Sequence, residues 1–236
     1  MSSINDTTDT NEITERALTV ELQLRYDLFV PSSEPLHPLL IAVHGYGGSK
    51  RQMMREARQL APESFAIVAP QGVYQHIREP REEGAPLRYG FGWLTNFHPE
   101  ESTRLHHDSL LRIISTLAAE KMIDLRRIFL LGFSQSCALN YRFAFTHTNI
   151  LRGVIGICGG LPGDWETNAA YAKTDASVFH LNGSNDEFYP PARTQNYEAQ
   201  LRQRAREPEV KTYAAGHEIT PAMRDDVRTW LNQHTV

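Results

Sequence analysis

Cysteine is scarce in this chain of 236 residues: there are two, Cys137 and Cys158. Two thiols in a chain this long do not make a disulfide framework, and neither belongs to a CxxC pair of the kind zinc sites use. Both are expected to be small, buried, apolar residues. Long apolar runs are missing too. No stretch approaches the roughly 20 apolar residues that span a bilayer. The first twenty residues carry Asp, Thr, Asn and Glu and lack the apolar centre of a secretory signal, so a cytoplasmic location is the expectation. There is no excess of basic charge. Lys and Arg number 24 against 28 Asp and Glu, a formal net charge of −4, which gives no support to a nucleic-acid-binding face. Runs of like charge, internal repeats, low-complexity tracts and interdomain linkers are also absent.

What is present suits a folded α/β chain. Hydrophobic residues make up 41% and charged residues 22%, enough to bury a core. Residues 1–15 are polar and are expected to be a tail; the rest, 16–236, reads as one domain. Leu18, Val20, Leu22 and Leu24 alternate with polar neighbours, which predicts a strand or hairpin arm within 17–30. Short, continuous apolar runs at Leu39–Val43, Phe65–Ala69, Arg127–Leu131, Val154–Cys158 and Val178–Leu181 suit strands buried on both faces. Helical spacing is expected over 50–60, 101–122, 135–147, 192–205 and 220–233, with a further strand near 210–214. Strands alternating with helices imply a mostly parallel sheet covered on both faces. Residues 71–100 are too long for an ordinary connection and are expected to form a cap or binding loop.

In such sheets, sites form at the carboxyl ends of strands, and several turns there carry reactive side chains. Gly132-Phe133-Ser134-Gln135-Ser136 links an apolar strand to a helix. A serine in so tight a turn is pushed out above the sheet, provided its neighbours two before and two after are small. Gly132 and Ser136 satisfy this, although the usual second residue is glycine. An ordinary turn with a helix-capping serine would read the same way. His44-Gly45-Tyr46-Gly47-Gly48 follows the first buried strand. Its Tyr46 N–H, together with that of Gln135, could bind a developing oxyanion. The turn lacks GxGxxG and a P-loop lysine, so nucleotide binding is not indicated. His44 is expected to be structural.

Asp186 lies just past the Val178–Leu181 strand, and His217 follows the last strand. Asp175, Asp225, Asp226 and Glu187 are competitors for the acid. Asp175 precedes its strand, and Asp225 and Asp226 follow His217 in the last helix. Asp186 is preferred because it sits just past a strong strand and before His217. In the order Ser134, Asp186, His217, the imidazole would take the serine proton, and the carboxylate would fix its tautomer.

These motifs resemble those of the carboxylesterase/phospholipase family of α/β-hydrolases, which includes acyl-protein thioesterases. The resemblance spans about 17–235. It rests on His44-Gly45 and the glycine-rich turn, on Asp124-Leu125-Arg126-Arg127-Ile128 leading into Gly132-Phe133-Ser134-Gln135, on Gly183-x-x-Asp186, and on Gly216-His217. It implies an α/β-hydrolase fold, a catalytic triad of Ser134, Asp186 and His217, and an oxyanion hole from the N–H groups of Tyr46 and Gln135. It also places Trp93 where the family has a groove-lining tryptophan; core packing fits Trp93 equally. Ser136 departs from the family glycine. Polyhydroxyalkanoate-depolymerase-like and feruloyl-esterase-like relatives share the motifs. The expected activity is hydrolysis of short- to medium-chain carboxylic esters, with no metal or organic cofactor. The alternatives are thioester or amide cleavage on the same residues, or a non-catalytic binding protein on the same fold.

Overall fold

The computed structural model describes residues 13–33, 36–78, 82 and 84–235; the first twelve residues of the expected tail lie outside them. In chain order the elements are β1 (Tyr26–Phe29), β2 (His37–Val43), α1 (Lys50–Leu60), β3 (Ala66–Pro70), β4 (Tyr74–Arg78), β5 (Arg88–Gly92), α2 (Pro99–Ala119), β6 (Ile123–Phe133), α3 (Gln135–Thr146), β7 (Gly153–Ile157), β8 (Ser177–Gly183), α4 (Pro191–Thr194), α5 (Tyr197–Arg202), β9 (Pro208–Tyr213) and α6 (Pro221–His234).

Seven strands form one sheet in the order β1-β3-β2-β6-β7-β8-β9. Only β1 is antiparallel. The continuous apolar runs follow from burial on both faces. Leu39, Ile41, Val43, Ile128, Leu130 and Val154 point to one side, where α2, α3 and α5 pack. Leu40, Ala42, Phe129, Leu131, Ile155 and Leu181 point to the other, against α1 and α6. The chain runs β2, α1, β3 in one direction and then returns to lay β6 on the opposite side of β2. Beyond the carboxyl ends of β2 and β6 lies the crevice where such sheets bind ligands.

Two helix starts have explicit chemical causes. The Ser49 hydroxyl accepts the Gln52 N–H at the start of α1, and Thr220 accepts that of Met223 at the start of α6, with Pro221 in the first turn. Among the described residues, no helix is long and apolar enough to cross a membrane.

Three expectations need correction. The alternation within 17–30 yields a strand only at Tyr26–Phe29, where β3 offers an edge. Leu18, Val20 and Leu22 find no such edge and stay exposed. The segment 71–100 is not one long loop. It carries the antiparallel hairpin β4–β5, although residues 79–81 and 83 near its turn lie outside the described residues. The helix expected over 192–205 is broken into α4 and α5 at Asn196 (φ −99°, ψ 0°), a residue whose amide favours turns.

Phe129 is fully buried at the sheet centre, between Phe65 and Trp230. Phe129→Ala is expected to lower unfolding free energy by about 3–5 kcal/mol, the usual loss for a core phenylalanine. Urea denaturation measures it.

Candidate active site

Ser134 occupies the junction of β6 and α3 with φ 58° and ψ −119°, a backbone region that L-residues rarely enter. The surroundings hold it there. Its N–H donates to the Ile157 carbonyl at 2.9 Å, and its carbonyl accepts the Cys137 N–H at 3.1 Å. The turn tolerates nothing larger than glycine on two sides. A Cβ on Gly132 would stand 2.7 Å from Asn140 Nδ2, and one on Gly159 would stand 2.6 Å from the Ser134 carbonyl oxygen.

Three loops bring the predicted residues together. His217, after β9, places Nε2 2.9 Å from Ser134 Oγ. Its Nδ1 is 2.9 Å from Asp186 Oδ2, after β8. The other carboxylate oxygen, Oδ1, accepts the N–H groups of Phe188 and Tyr189, each at 2.9 Å. Asp186 is 2% exposed. Burial alone would raise its pKa, but the bonds from His217, Tyr189 and Phe188 outweigh burial and hold it below the usual carboxylate value. An ionised Asp186 is acceptor-only, so His217 Nδ1 carries the proton and Nε2 is left to accept one from Ser134. The rings of Phe133, Phe188 and Tyr189 lie 4.9, 4.8 and 5.9 Å from the imidazole and confine it to that orientation.

Two of the competing acids, Asp225 and Asp226, are paired elsewhere. Asp226 accepts from Tyr213 at 2.6 Å and also pairs with Lys211, and Asp225 pairs with Arg228. Asp124, part of the motif that leads into the Ser134 turn, binds Arg126 and Arg127, which hold its carboxyl down at about 2. It lies near the start of β6, away from the carboxyl ends of the strands.

The backbone N–H groups of Tyr46 and Gln135 meet no acceptor among the described residues. Gln135 opens α3, so the helix dipole adds to its N–H. The Tyr46 turn is braced from several directions. Its neighbours Gly47 and Gly48 exchange hydrogen bonds with Phe91 of β5, at 2.9 and 3.2 Å. The hairpin in the 71–100 segment therefore acts as a clamp on this turn. Trp93, 3% exposed, donates Nε1–H to the His44 carbonyl at 3.1 Å, and its own N–H donates to Gln135 Oε1 at 3.0 Å. This ties the Tyr46 and Gln135 segments together from within the core. His44 is buried. Its Nδ1–H donates to the Gly45 carbonyl at 2.7 Å, and its Nε2 accepts the Gly72 N–H at 2.9 Å. Burial lowers its pKa to about 4, against a smaller opposing effect of the Gly45 bond.

Ser136, the departure from the usual glycine, has a structural answer. Its fully buried hydroxyl accepts the Phe133 N–H at 3.0 Å and reaches the Val43 carbonyl at 2.8 Å. It bridges the ends of β6 and β2 directly beneath both turns. The sequence displayed this serine without revealing the partner strand. The Phe188 and Tyr189 N–H donors carried no sequence signal, because any residue offers a backbone N–H. Cys137 and Cys158 are buried and unoxidised; burial pushes the Cys158 thiol up to about 12.

Ser136→Ala removes the acceptor of one buried backbone group and the donor to another. The expected loss of stability is about 1–3 kcal/mol, read from denaturant midpoints. A second expectation concerns acid. His44, His107 and His180 are held by burial at about 4, and His106 at about 3, against an ordinary value of 6.5. Between pH 6.5 and 4 the unfolded chain therefore binds more protons than the folded one. Stability should fall steadily as pH drops through that window. Urea unfolding at pH 7, 5.5 and 4.5 checks this; an unchanged midpoint would refute it.

The model of the phospholipase/carboxylesterase family matches residues 26–235. Among solved structures, a carboxylesterase from Mesorhizobium loti is 22% identical, with a TM-score of 0.69 over 92% of this chain and 98% of that one. The esterase PE8 is 18% identical, with a TM-score of 0.70 over 90% and 99%. SOBER1 of Arabidopsis thaliana is 16% identical, with a TM-score of 0.66 over 84% and 99%. These likenesses establish the α/β-hydrolase fold. The family match covers nearly every element that builds the site, and on it the chain belongs to the phospholipase/carboxylesterase family of serine hydrolases.

Proposed function

We propose that residues 16–236 act as one hydrolase domain that cleaves short- to medium-chain carboxylic esters through an acyl-enzyme on Ser134. The observation that carries this reading is the bridge made by His217, 2.9 Å from Ser134 Oγ on one side and 2.9 Å from Asp186 on the other. In the first half-reaction the Ser134 oxygen attacks the ester carbonyl carbon as its proton passes to His217 Nε2. The negative charge gathers on the carbonyl oxygen, between the N–H groups of Tyr46 and Gln135. The C–O bond to the alcohol then breaks, and His217 returns the proton to the departing oxygen. Water repeats the sequence on the acyl-enzyme and releases the acid. The carboxylate of Asp186 stabilises the transient imidazolium and is not itself protonated. Every step uses groups of the chain and water. The more than half-exposed rings of Tyr46 and Phe188 at the site's rim offer apolar contact to a chain of a few carbons.

A p-nitrophenyl ester series from two to twelve carbons tests the reading. Turnover is expected to peak at short to medium length. Ser134→Ala should reduce kcat by at least about 10³-fold with little change in KM. Equal rates in the wild type and Ser134→Ala would reject the assignment. Faster turnover of matched acyl-thioesters or amides would reject ester preference while leaving the nucleophile in place.

A further inference from the structure

A cavity of about 330 Å³, lined in part by the chain neighbours of Ser134 and His217, is not used by the chemistry above. Gly45, Met53, Phe133, Ile219, Glu56 and Glu218 contribute to its wall. Its position relative to the reacting atoms is fixed by contacts. A Cβ built on Gly45 would lie 3.0 Å from that of Ser134. Phe133 immediately precedes Ser134, and its ring is 4.9 Å from the His217 ring. Glu218 and Ile219 directly follow His217 in the chain. The cavity is therefore on the imidazole's side of the nucleophile. The opposite side of the turn is closely occupied, since Gly159 and Cys137 press against the Ser134 backbone.

The reaction chemistry gives this side a meaning. His217 Nε2 must hand its proton to the departing oxygen, so that oxygen has to lie within hydrogen-bonding reach of the imidazole. Whatever carbon skeleton the oxygen carries extends toward the same side. The volume is at the small end for ligand sites, which suits a short alcohol and not a long chain.

The lining chemistry narrows the class. Met53 is 4% exposed, and with Phe133 and Ile219 it gives the cavity apolar surface. Two carboxylates line it and no Lys or Arg does. Glu56 is already neutralised by Arg224, at 2.7 Å. Glu218, an exposed residue of the lining, has no ion-pair or hydrogen-bond partner for its carboxylate among the described residues. A partly apolar wall, with His44 and Gln52 beside Met53, Phe133 and Ile219, and one unpaired carboxylate match an alcohol that has a short alkyl body and a cationic head.

Resting on the hydrolase reading, we propose that this cavity is the leaving-alcohol subsite and that it favours esters of small ammonium-bearing alcohols, with Glu218 setting the charge preference. In the step concerned, the bond from the acyl carbon to the alcohol oxygen breaks and the new bond to Ser134 Oγ remains. The alcohol leaves neutral at oxygen, carrying the proton from His217, with its cationic head unchanged.

The test uses two butyrate esters of equal shape, one of choline and one of 3,3-dimethylbutan-1-ol, which differ only in charge. At low ionic strength the wild type is expected to show a kcat/KM for the choline ester about two- to fivefold above that of the neutral isostere, the range an exposed charge pair gives. The ratio should shrink toward one in Glu218→Gln, and also in the wild type at 0.5 M salt. Met53→Trp, which fills the cavity, should lower kcat/KM for both bulky esters relative to methyl butyrate. A wild-type ratio at or below one, or a ratio unmoved by Glu218→Gln, overturns the subsite. Turnover of p-nitrophenyl butyrate alongside such a result shows that only the subsite has failed. Absence of turnover on every ester overturns the hydrolase reading and the subsite with it.

Discussion

The site depends on one constraint: the imidazole of His217 must be held with Nδ1–H toward Asp186 so that Nε2 is free to face Ser134. A neutral imidazole has two tautomers, and only one leaves an acceptor at the serine. Asp186 makes the choice because it stays ionised while buried. Its second oxygen is saturated by the N–H groups of Phe188 and Tyr189, so the carboxylate neither rotates freely nor needs a cation. Three aromatic rings then limit the imidazole's movement. The polar bridge thus sits in an apolar frame, where hydrogen bonds are stronger than they would be in water.

The serine's half of the constraint is backbone strain. A non-glycine residue at positive φ persists only where its surroundings over-determine it. Here a strand on one side, the first turn of α3 on the other and close glycine contacts leave Ser134 no easier conformation. The Ser136 hydroxyl extends the same logic sideways, joining the end of β6 to the end of β2. Trp93 and the β4–β5 hairpin also hydrogen-bond to the Tyr46 turn. The conformation of the Tyr46 turn is thereby a product of the sheet, the hairpin and one buried tryptophan together.

Much of this was legible in the sequence, for identifiable reasons. Leu39–Val43 and Arg127–Leu131 announced themselves as strands because a strand buried on both faces must be apolar throughout. Ser134 and Asp186 stood out because each follows such a run, and His217 because it follows the last strand; strand ends are where loops converge. Other parts were hidden. The alternation of Leu18, Val20 and Leu22 mimicked a strand, but alternation describes only one partner, and no sheet edge was available to it. The hairpin within 71–100 was obscured by Gly, Pro and charge, since β4 and β5 form a small two-stranded sheet beside the main one. Trp93 illustrates a different limit. The residue type fitted both a groove wall and the core, and only the indole bond to the His44 carbonyl places it in the core as a brace.

The account stands on the nucleophilicity of one hydroxyl and its dependence on one imidazole. The most direct measurement is the rate at which a fluorophosphonate labels the folded protein, with the modified residue located by peptide mass mapping, in the wild type and in His217→Asn. The account predicts labelling at Ser134 alone, slowed by about 10³-fold or more when the imidazole is removed. Labelling at another serine, or an unchanged rate at Ser134 in His217→Asn, would contradict it.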